Sequence, residues 1–229
     1  MITDPPILTI RRGFERPSPE LLEAFRGVPA GFLVDAMGGR GCLPHNIRPL
    51  LPEKSGLFGV AVTCHAGPAD NLALFGALDI VERGDVVVAA ADSFTGTAVT
   101  GDLVLGMARN KGAAGFVTDG LVRDVAGIKT VGLPVYCAGV TANSPARNGP
   151  GTAGLPVVLG DIPIRSGDIL VGDRDGVVVV PLQQASAIAS MLPAIRVAEE
   201  ELDAKVRDGL EMPEFALAVL RSEKTRYLD

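Results

Sequence analysis

Three side chains carry the chemistry that this sequence offers: Asp102, Arg123 and Asp124. Gly101-Asp102-Leu103-Val104 stands where a loop enters a helix. The unpaired amides of a first helical turn, with the positive end of its dipole, make a site for a carboxylate or phosphate. A carboxylate at position 102 would stand beside that anion and could hold a metal-bound water. Twenty residues lie between Asp102 and Arg123, room for a helix and a strand that return the chain to the same end of a sheet. In open α/β sheets, ligands collect at such strand ends. Arg123 offers a planar fork of donors to a carboxylate or enolate oxygen, and Asp124 offers a hard oxygen ligand. A site with few carboxylates and several waters suits Mg²⁺, with Mn²⁺ close behind. Each feature also has a plainer reading when taken alone. An adjacent Arg-Asp pair also makes a surface ion pair or a cap, and Asp102 also makes a bare N-cap.

The elements that must position these residues follow from the pattern around them. Residues 1–17, with Pro5, Pro6 and Pro17, read as an arm lying on the surface or on a neighbouring subunit. Ser18 and Pro19 open a helix as N-cap and first helical residue. A second short helix is predicted over Gly31–Met37, ended by the glycines that follow. Gly59–Cys64 reads as a strand, Asp70–Ile80 as an amphipathic helix, and Val86–Ala91 as a strand buried on both faces. Asp102–Asn110 reads as helix, Ala114–Thr118 as strand, 121–131 as a short helix and Pro134–Ala138 as strand. Residues 141–154 are rich in turn formers and read as a long loop. Strands near 155–159, 162–165, 168–172 and 176–180 follow, separated by Gly160-Asp161, Gly167-Asp168 and Asp175-Gly176. Residues 182–208 read as one long amphipathic helix. The mixture of βα units and hairpins predicts a layered α/β sandwich rather than a regular barrel. The expected organisation is an arm at 1–17, an α/β domain at 18–181 and a helical segment at 182–229.

Composition narrows the function class. Hydrophobic residues make up 47 % of the 229, so the chain can bury a sizeable core; tryptophan is absent and aromatics are 4 %, so that core must be aliphatic. The net charge of −6 and the lack of a Lys/Arg run argue against nucleic acid as a partner. No apolar run approaches membrane length, and Met1–Gly13 has no signal-peptide pattern, so a cytoplasmic location is expected. Cys42, Cys64 and Cys137 lack metal-ligand spacing and read as reduced, mostly buried thiols. His45 and His65 are expected to pack or lie on the surface. Asp92 and Ser93 either line the site or serve a strand-end turn. Arg40 and Arg48 are expected to pair at the surface, the alternative being the distal carboxylate of a dicarboxylic substrate. Glu199-Glu200-Glu201 reads as a solvated helix face, the alternative being reach into a neighbour's site.

Gly101-Asp102-Leu103, then twenty residues, then Arg123-Asp124 resembles the signature of the RraA-like family, which includes the class II pyruvate aldolases acting on 4-hydroxy-4-methyl-2-oxoglutarate and 4-carboxy-4-hydroxy-2-oxoadipate. The resemblance runs over most of the chain. Val34-Asp35-Ala36, Ile47-Arg48-Pro49-Leu50, Gly59–Thr63, Gly84–Val88, Asp119-Gly120, Gly167-Asp168 and Asp175-Gly176-Val177 resemble its landmarks in its order. Thr100, and the loop Asn143–Gly151, depart from the aldolases' pattern and border the presumed substrate pocket. The resemblance implies a swivelling β/β/α fold. It implies that Asp124 is the metal ligand, Asp102 the residue that orients a metal water, and Arg123 the group that binds the pyruvyl moiety and steadies its enolate. The amides of Gly101, Asp102, Leu103 and Val104 are implied as the substrate carboxylate cradle. The implied activity is divalent-metal-dependent retro-aldol cleavage of a 4-hydroxy-2-oxo acid to pyruvate, with decarboxylation of oxaloacetate, using Mg²⁺ or Mn²⁺. The implied assembly is a homotrimer or homohexamer. The rival from the same family is a non-catalytic regulator that binds and inhibits a ribonuclease, a branch in which the resemblance has both elements degraded. A quinone methyltransferase, an older family label, lacks support because no glycine-rich nucleotide loop is present.

Overall fold

The computed structural model describes residue 4 and residues 6–228. Residues 1–3 and Pro5 of the expected arm lie outside the described residues. The chain begins with β1 (Leu8–Ile10), α1 (Pro19–Glu23), α2 (Ala30–Ala36) and β2 (Arg48–Pro49). Three βα-type passages follow: β3 (Leu57–His65) with α3 (Leu72–Ile80); β4 (Asp85–Ala90) and β5 (Ala98–Thr100) with α4 (Asp102–Asn110); and β6 (Gly115–Thr118), β7 (Leu121–Val122) and α5 (Val125–Val131). Then come β8 (Val135–Cys137), β9 (Gly139–Val140) and β10 (Gly151–Ala153). The strands β11 (Val157–Leu159), β12 (Ile162–Ile164), β13 (Ile169–Gly172) and β14 (Val177–Val180) lead to α6 (Leu182–Arg207) and α7 (Glu214–Leu220).

The main sheet runs in the order β1-β10-β3-β4-β6-β8-β2, with β3, β4, β6 and β8 parallel. β3 is long enough to serve two neighbours on one edge: its first residues pair with β13 and its last with β10. β4 is buried throughout, and its side chains alternate between two cores. Val87 and Ala89 pack toward α3, α4 and α5, while Val86, Val88 and Ala90 pack toward β11, β12 and β14. This period of two makes the sheet the middle layer of a helix–sheet–sheet sandwich. A third core seats α1, α2 and the first half of α6 on β13 and β14. Ser18 caps α1 by accepting the Leu21 amide at 3.2 Å.

Three expectations, on residues 121–131, residues 141–154 and the turn at Gly167-Asp168, are corrected. Residues 121–131 are not one helix: β7 comes first and Asp124 separates it from α5. The 141–154 loop ends in β10, which enters the sheet between β1 and β3. Two of the three acidic turns close hairpins; the third, Gly167-Asp168, feeds β13 to β3 rather than back to β12. From Leu8 the arm is an edge strand on its own chain, and Arg16 grips the buried Asp85 with two bonds at 2.7 and 2.9 Å. Cys42 is exposed, whereas burial pushes the Cys64 thiol up to about 12 and the Cys137 thiol to about 11. Both are held protonated and inert at neutral pH. α6 is a single helix with Pro193 inside it, and only its first half buries side chains. Among the described residues, no helix is long and apolar enough to cross a membrane.

Candidate active site

A second, small sheet positions the chemistry. β5, β7 and β9 are parallel, with Thr100 opposite Val122 and Leu121 opposite Gly139. Their ends lie side by side. β5 runs into Gly101 and α4, β7 into Arg123-Asp124 and α5, and β9 into the 141–150 segment. The Arg123 amide donates to the Thr100 carbonyl at 3.0 Å, which ties the two halves of the motif together. The buried Asp119 sets the crossover from the main sheet, accepting the Ala91 amide at 2.7 Å and the Ser93 amide at 2.8 Å.

Gly101 has an extended backbone, φ −139° and ψ −170°, that any residue adopts. Its lack of a side chain matters for another reason. A β-carbon there would stand 2.5 Å from Asp124 Oδ2 and 3.1 Å from Arg123 Cγ. A second close approach lies opposite. A β-carbon on Gly127 of α5 would collide with the Asp102 carboxylate. Asp102 is therefore held against α5, and α4 and α5 meet at these two glycines.

α4 begins with Leu105 N–H bonding to the Gly101 carbonyl at 3.2 Å, so the amides of Asp102, Leu103 and Val104 have no helical acceptor. Gly101 offers no side-chain cap. These amides face a cleft lined also by Thr100, Arg123 and Asp124. Asp124 takes the left-handed conformation, φ 62° and ψ 45°, which Asp and Asn tolerate better than other side chains. Its Oδ2 is 3.1 Å from Arg123 Nε, and Arg123 Nη1 donates to Ser144 Oγ at 2.5 Å. Both side chains are partly exposed, at 35 % and 42 %, so they meet a ligand from solvent.

The far wall comes from the 143–149 segment, which Asp70 binds to the start of α3. Asp70 Oδ2 accepts the Asn148 amide at 2.6 Å and the Gly149 amide at 3.2 Å. Ala146 and Asn71 exchange a further backbone bond at 3.0 Å. Pro145 and Arg147 are thereby brought to the cleft, facing Asn71. The structure thus unites all the sequence-predicted residues: Gly101, Asp102, Leu103, Val104, Arg123 and Asp124 line one cleft. It adds Asn71, Pro145 and Arg147. A second cation, Arg147, lines the cleft; Arg40 lines a separate depression, and Arg48 donates to the Asp175 carbonyl at 2.8 Å. Asp92 and Ser93 serve the strand end: Asp92 pairs with His65 at 2.9 Å and Ser93 binds Asp119.

The donor set suits a hard cation. Two carboxylates and no histidine or thiol border the cleft, and among the described residues no three His, Cys, Asp or Glu side chains cluster as a closed cage. Such a set fits Mg²⁺ or Mn²⁺ that keeps most of its waters, with Asp124 as ligand and Asp102 beside it.

Comparison with known proteins adds the relationships. The RraA-like family model, described as Aldolase/RraA, matches residues 20–179. A Halalkalibacterium halodurans protein, provisionally named a 4-hydroxy-4-methyl-2-oxoglutarate aldolase, is 35 % identical over 83 % of this chain and 90 % of its own length. Among solved structures, Streptomyces coelicolor RraAS2, described as an unusual member of the RNase ES inhibitor RraA family, superposes with TM-score 0.72 at 29 % identity. That match covers 84 % of this chain and all of the other. An uncharacterized protein from Pseudomonas syringae pv. tomato gives TM-score 0.75 at 25 % identity, covering 86 % and 96 % of the two chains.

The glycine contacts generate a test of sign. In an isolated helix, Gly127→Ala would stabilise by roughly 1 kcal/mol. Here the contact with Asp102 should reverse this and destabilise the protein by about 1–3 kcal/mol. Urea unfolding of the variant measures it; a gain in stability would show that Asp102 is not packed on α5.

Proposed function

Because the chain belongs to the RraA-like (Aldolase/RraA) family, we propose that it is a divalent-metal-dependent lyase. It cleaves a 4-hydroxy-2-oxo acid to pyruvate and also decarboxylates oxaloacetate. The observation that carries this reading is the convergence of the α4 amides, Arg123, Asp124 and Asp102 on one cleft. The name of the Halalkalibacterium halodurans relative supports it.

The substrate carboxylate sits on the free amides at the start of α4, where the helix dipole favours negative charge. Asp124 would hold the cation, Mg²⁺ or Mn²⁺, and Asp102 would stand beside it to orient a water. When bound, a divalent cation polarises the 2-oxo group and takes part of the developing negative charge. In the retro-aldol direction the 4-hydroxyl would give up its proton toward the Asp102 carboxylate, the base that borders the cleft. The C3–C4 bond breaks, C4 becomes a carbonyl carbon, and the electron pair passes through C3 to the 2-oxo oxygen. Arg123 donates to that oxygen as its charge grows. Its guanidinium is aimed by Asp124 at Nε and Ser144 at Nη1, so it needs no reorganisation during reaction. With oxaloacetate the same bond breaks, carbon dioxide leaves, and the charge arrives at the same oxygen; in both reactions the enolate then takes a proton at C3 to give pyruvate. No Schiff-base lysine is required, and none lines the cleft.

We place the cleft at a subunit boundary of a homotrimer or homohexamer. Leu103, Met107, Val125 and Val140 are exposed around it. Beyond Pro193, α6 leaves Val197, Leu202 and Val206 exposed, and α7 leaves Phe215 and Val219 exposed. Glu199–Glu201 lie on that same stretch, from which a carboxylate would reach a neighbour's cleft.

Three outcomes are expected. Asp124→Ala, or excess EDTA on the wild type, should abolish lyase activity, with recovery from EDTA on adding Mg²⁺ or Mn²⁺; full activity in chelator would refute metal dependence. Arg123→Lys keeps the charge but loses the fork, and kcat on oxaloacetate should fall at least ~100-fold. Near-wild-type kcat would remove Arg123 from the chemistry. Light scattering at micromolar concentration should report a trimer or hexamer, and a monomer would refute the assembly.

A further inference from the structure

We infer that Asn71 selects for substrates that carry a hydroxyl group, by accepting that group's hydrogen bond at Oδ1; this rests on the lyase reading above. Asn71 is 2 % exposed and lines the cleft together with Thr100 and Arg147. It holds the N-cap position of α3, where an Asn side chain ordinarily caps the helix. It makes no capping bond. Asp70 Oδ1 takes the Leu72 amide instead, at 2.8 Å, so the Asn71 amide is withheld from the helix.

The orientation of that amide is set by its donor end. Nδ2 donates to the Val99 carbonyl at 3.0 Å, in the strand that leads to Gly101. Reversing the amide would turn an oxygen against a carbonyl, so the oxygen is the atom left for other use. Among the described residues, Asn71 Oδ1 is the one buried side-chain polar atom without a hydrogen-bond partner. A buried acceptor left unpaired is disfavoured by a factor of about ten to a hundred. An acceptor so placed on a ligand cleft calls for a donor from the ligand.

The chemistry of the substrate class names that donor. In a 2-oxo acid at neutral pH, the keto and carboxylate oxygens are all acceptors. The 4-hydroxyl is the single O–H that a 4-hydroxy-2-oxo acid brings. The same cleft filled by a substrate without a hydroxyl leaves Oδ1 unpaired. The bond belongs to the bound substrate and is given up when the hydroxyl proton departs, so its loss should raise KM rather than lower kcat. Asn71 is thus a specificity-determining residue.

The test is steady-state kinetics with Mg²⁺ on 4-hydroxy-2-oxoglutarate and on oxaloacetate, for the wild type, Asn71→Leu and Asn71→Asp. Asn71→Leu should raise KM for the hydroxylated compound about 10- to 100-fold while KM for oxaloacetate stays within about threefold. Asn71→Asp retains an acceptor and should retain the preference. Both variants lose the bond to Val99, so a purely structural role would shift both variants and both substrates alike, and that result overturns the inference. Independently of any variant, 2-oxoglutarate should compete with a Ki at least about tenfold above the KM of its 4-hydroxy counterpart; equal values overturn it too. A wild type that decarboxylates oxaloacetate but leaves the hydroxylated compound intact overturns the inference and spares the lyase reading. A wild type that turns over neither compound overturns both.

Discussion

The cleft exists because nothing projects from the Cα of residue 101. β5 and β7 run side by side, and Gly101 after β5 lies against the side chains of Arg123 and Asp124 after β7. A methyl group at Gly101 would press on both the Asp124 carboxylate and the Arg123 side chain. The lack of that methyl lets a helix N-terminus, a guanidinium and a carboxylate stand together without displacing either side chain. Gly127 does the same on the opposite side for Asp102. The two glycines together let α4 and α5 close on the carboxylates, and overpacking at Gly127, where the β-carbon and carboxyl of Asp102 are both met, costs on the order of 1–3 kcal/mol.

Scaffold and site are divided between two sheets. The main sheet carries the burial, with β4 wholly enclosed and its side chains shared between two cores. The small sheet β5-β7-β9 carries the ligand-facing residues on strands of two or three residues. Asp119 joins them, because its carboxylate holds the end of β4 while its backbone leads into β7. Asp70 fixes the far wall in the same manner, binding a segment nearly eighty residues away through two amides. Buried carboxylates that accept backbone amides are what turn these irregular connections into rigid walls.

Much of this was legible in the residues. The helix at Asp102–Asn110 was read to the residue, because Gly101-Asp102 and Lys111-Gly112 mark its ends. The core strands were readable from their β-branched runs. The cluster of Gly101–Val104 with Arg123-Asp124 was also readable, since a helix and a strand return the chain by one sheet width. The small sheet was not readable. Leu121-Val122 and Gly139-Val140 are too short to show a period, and their pairing depends on partners distant in sequence. Arg147 sat in a segment that reads only as turn formers, and Arg40 and Arg48 were the cations that sequence offered instead. Asn71 was hidden by its position, because it falls inside the stretch Asp70–Ile80 that reads as helix, whereas the helix begins only at Leu72. Only the bond to Val99 reveals that its amide faces elsewhere.

Asp124 stands in a left-handed backbone conformation, which has a consequence for descent. Three residues occupy that conformation with little strain: Asp, Asn and Gly. Asn and Gly are each reached from Asp by one base change in the codon. A lineage could therefore lose the carboxylate at this position in a single step and keep the β7–α5 junction, the fold and its outer surface intact. Most catalytic carboxylates sit where their removal is equally easy to encode. Here the backbone itself favours the replacements that remove the carboxylate. On this scaffold, a chain without the carboxylate is one base change from a chain that has it, and the reverse step is equally short.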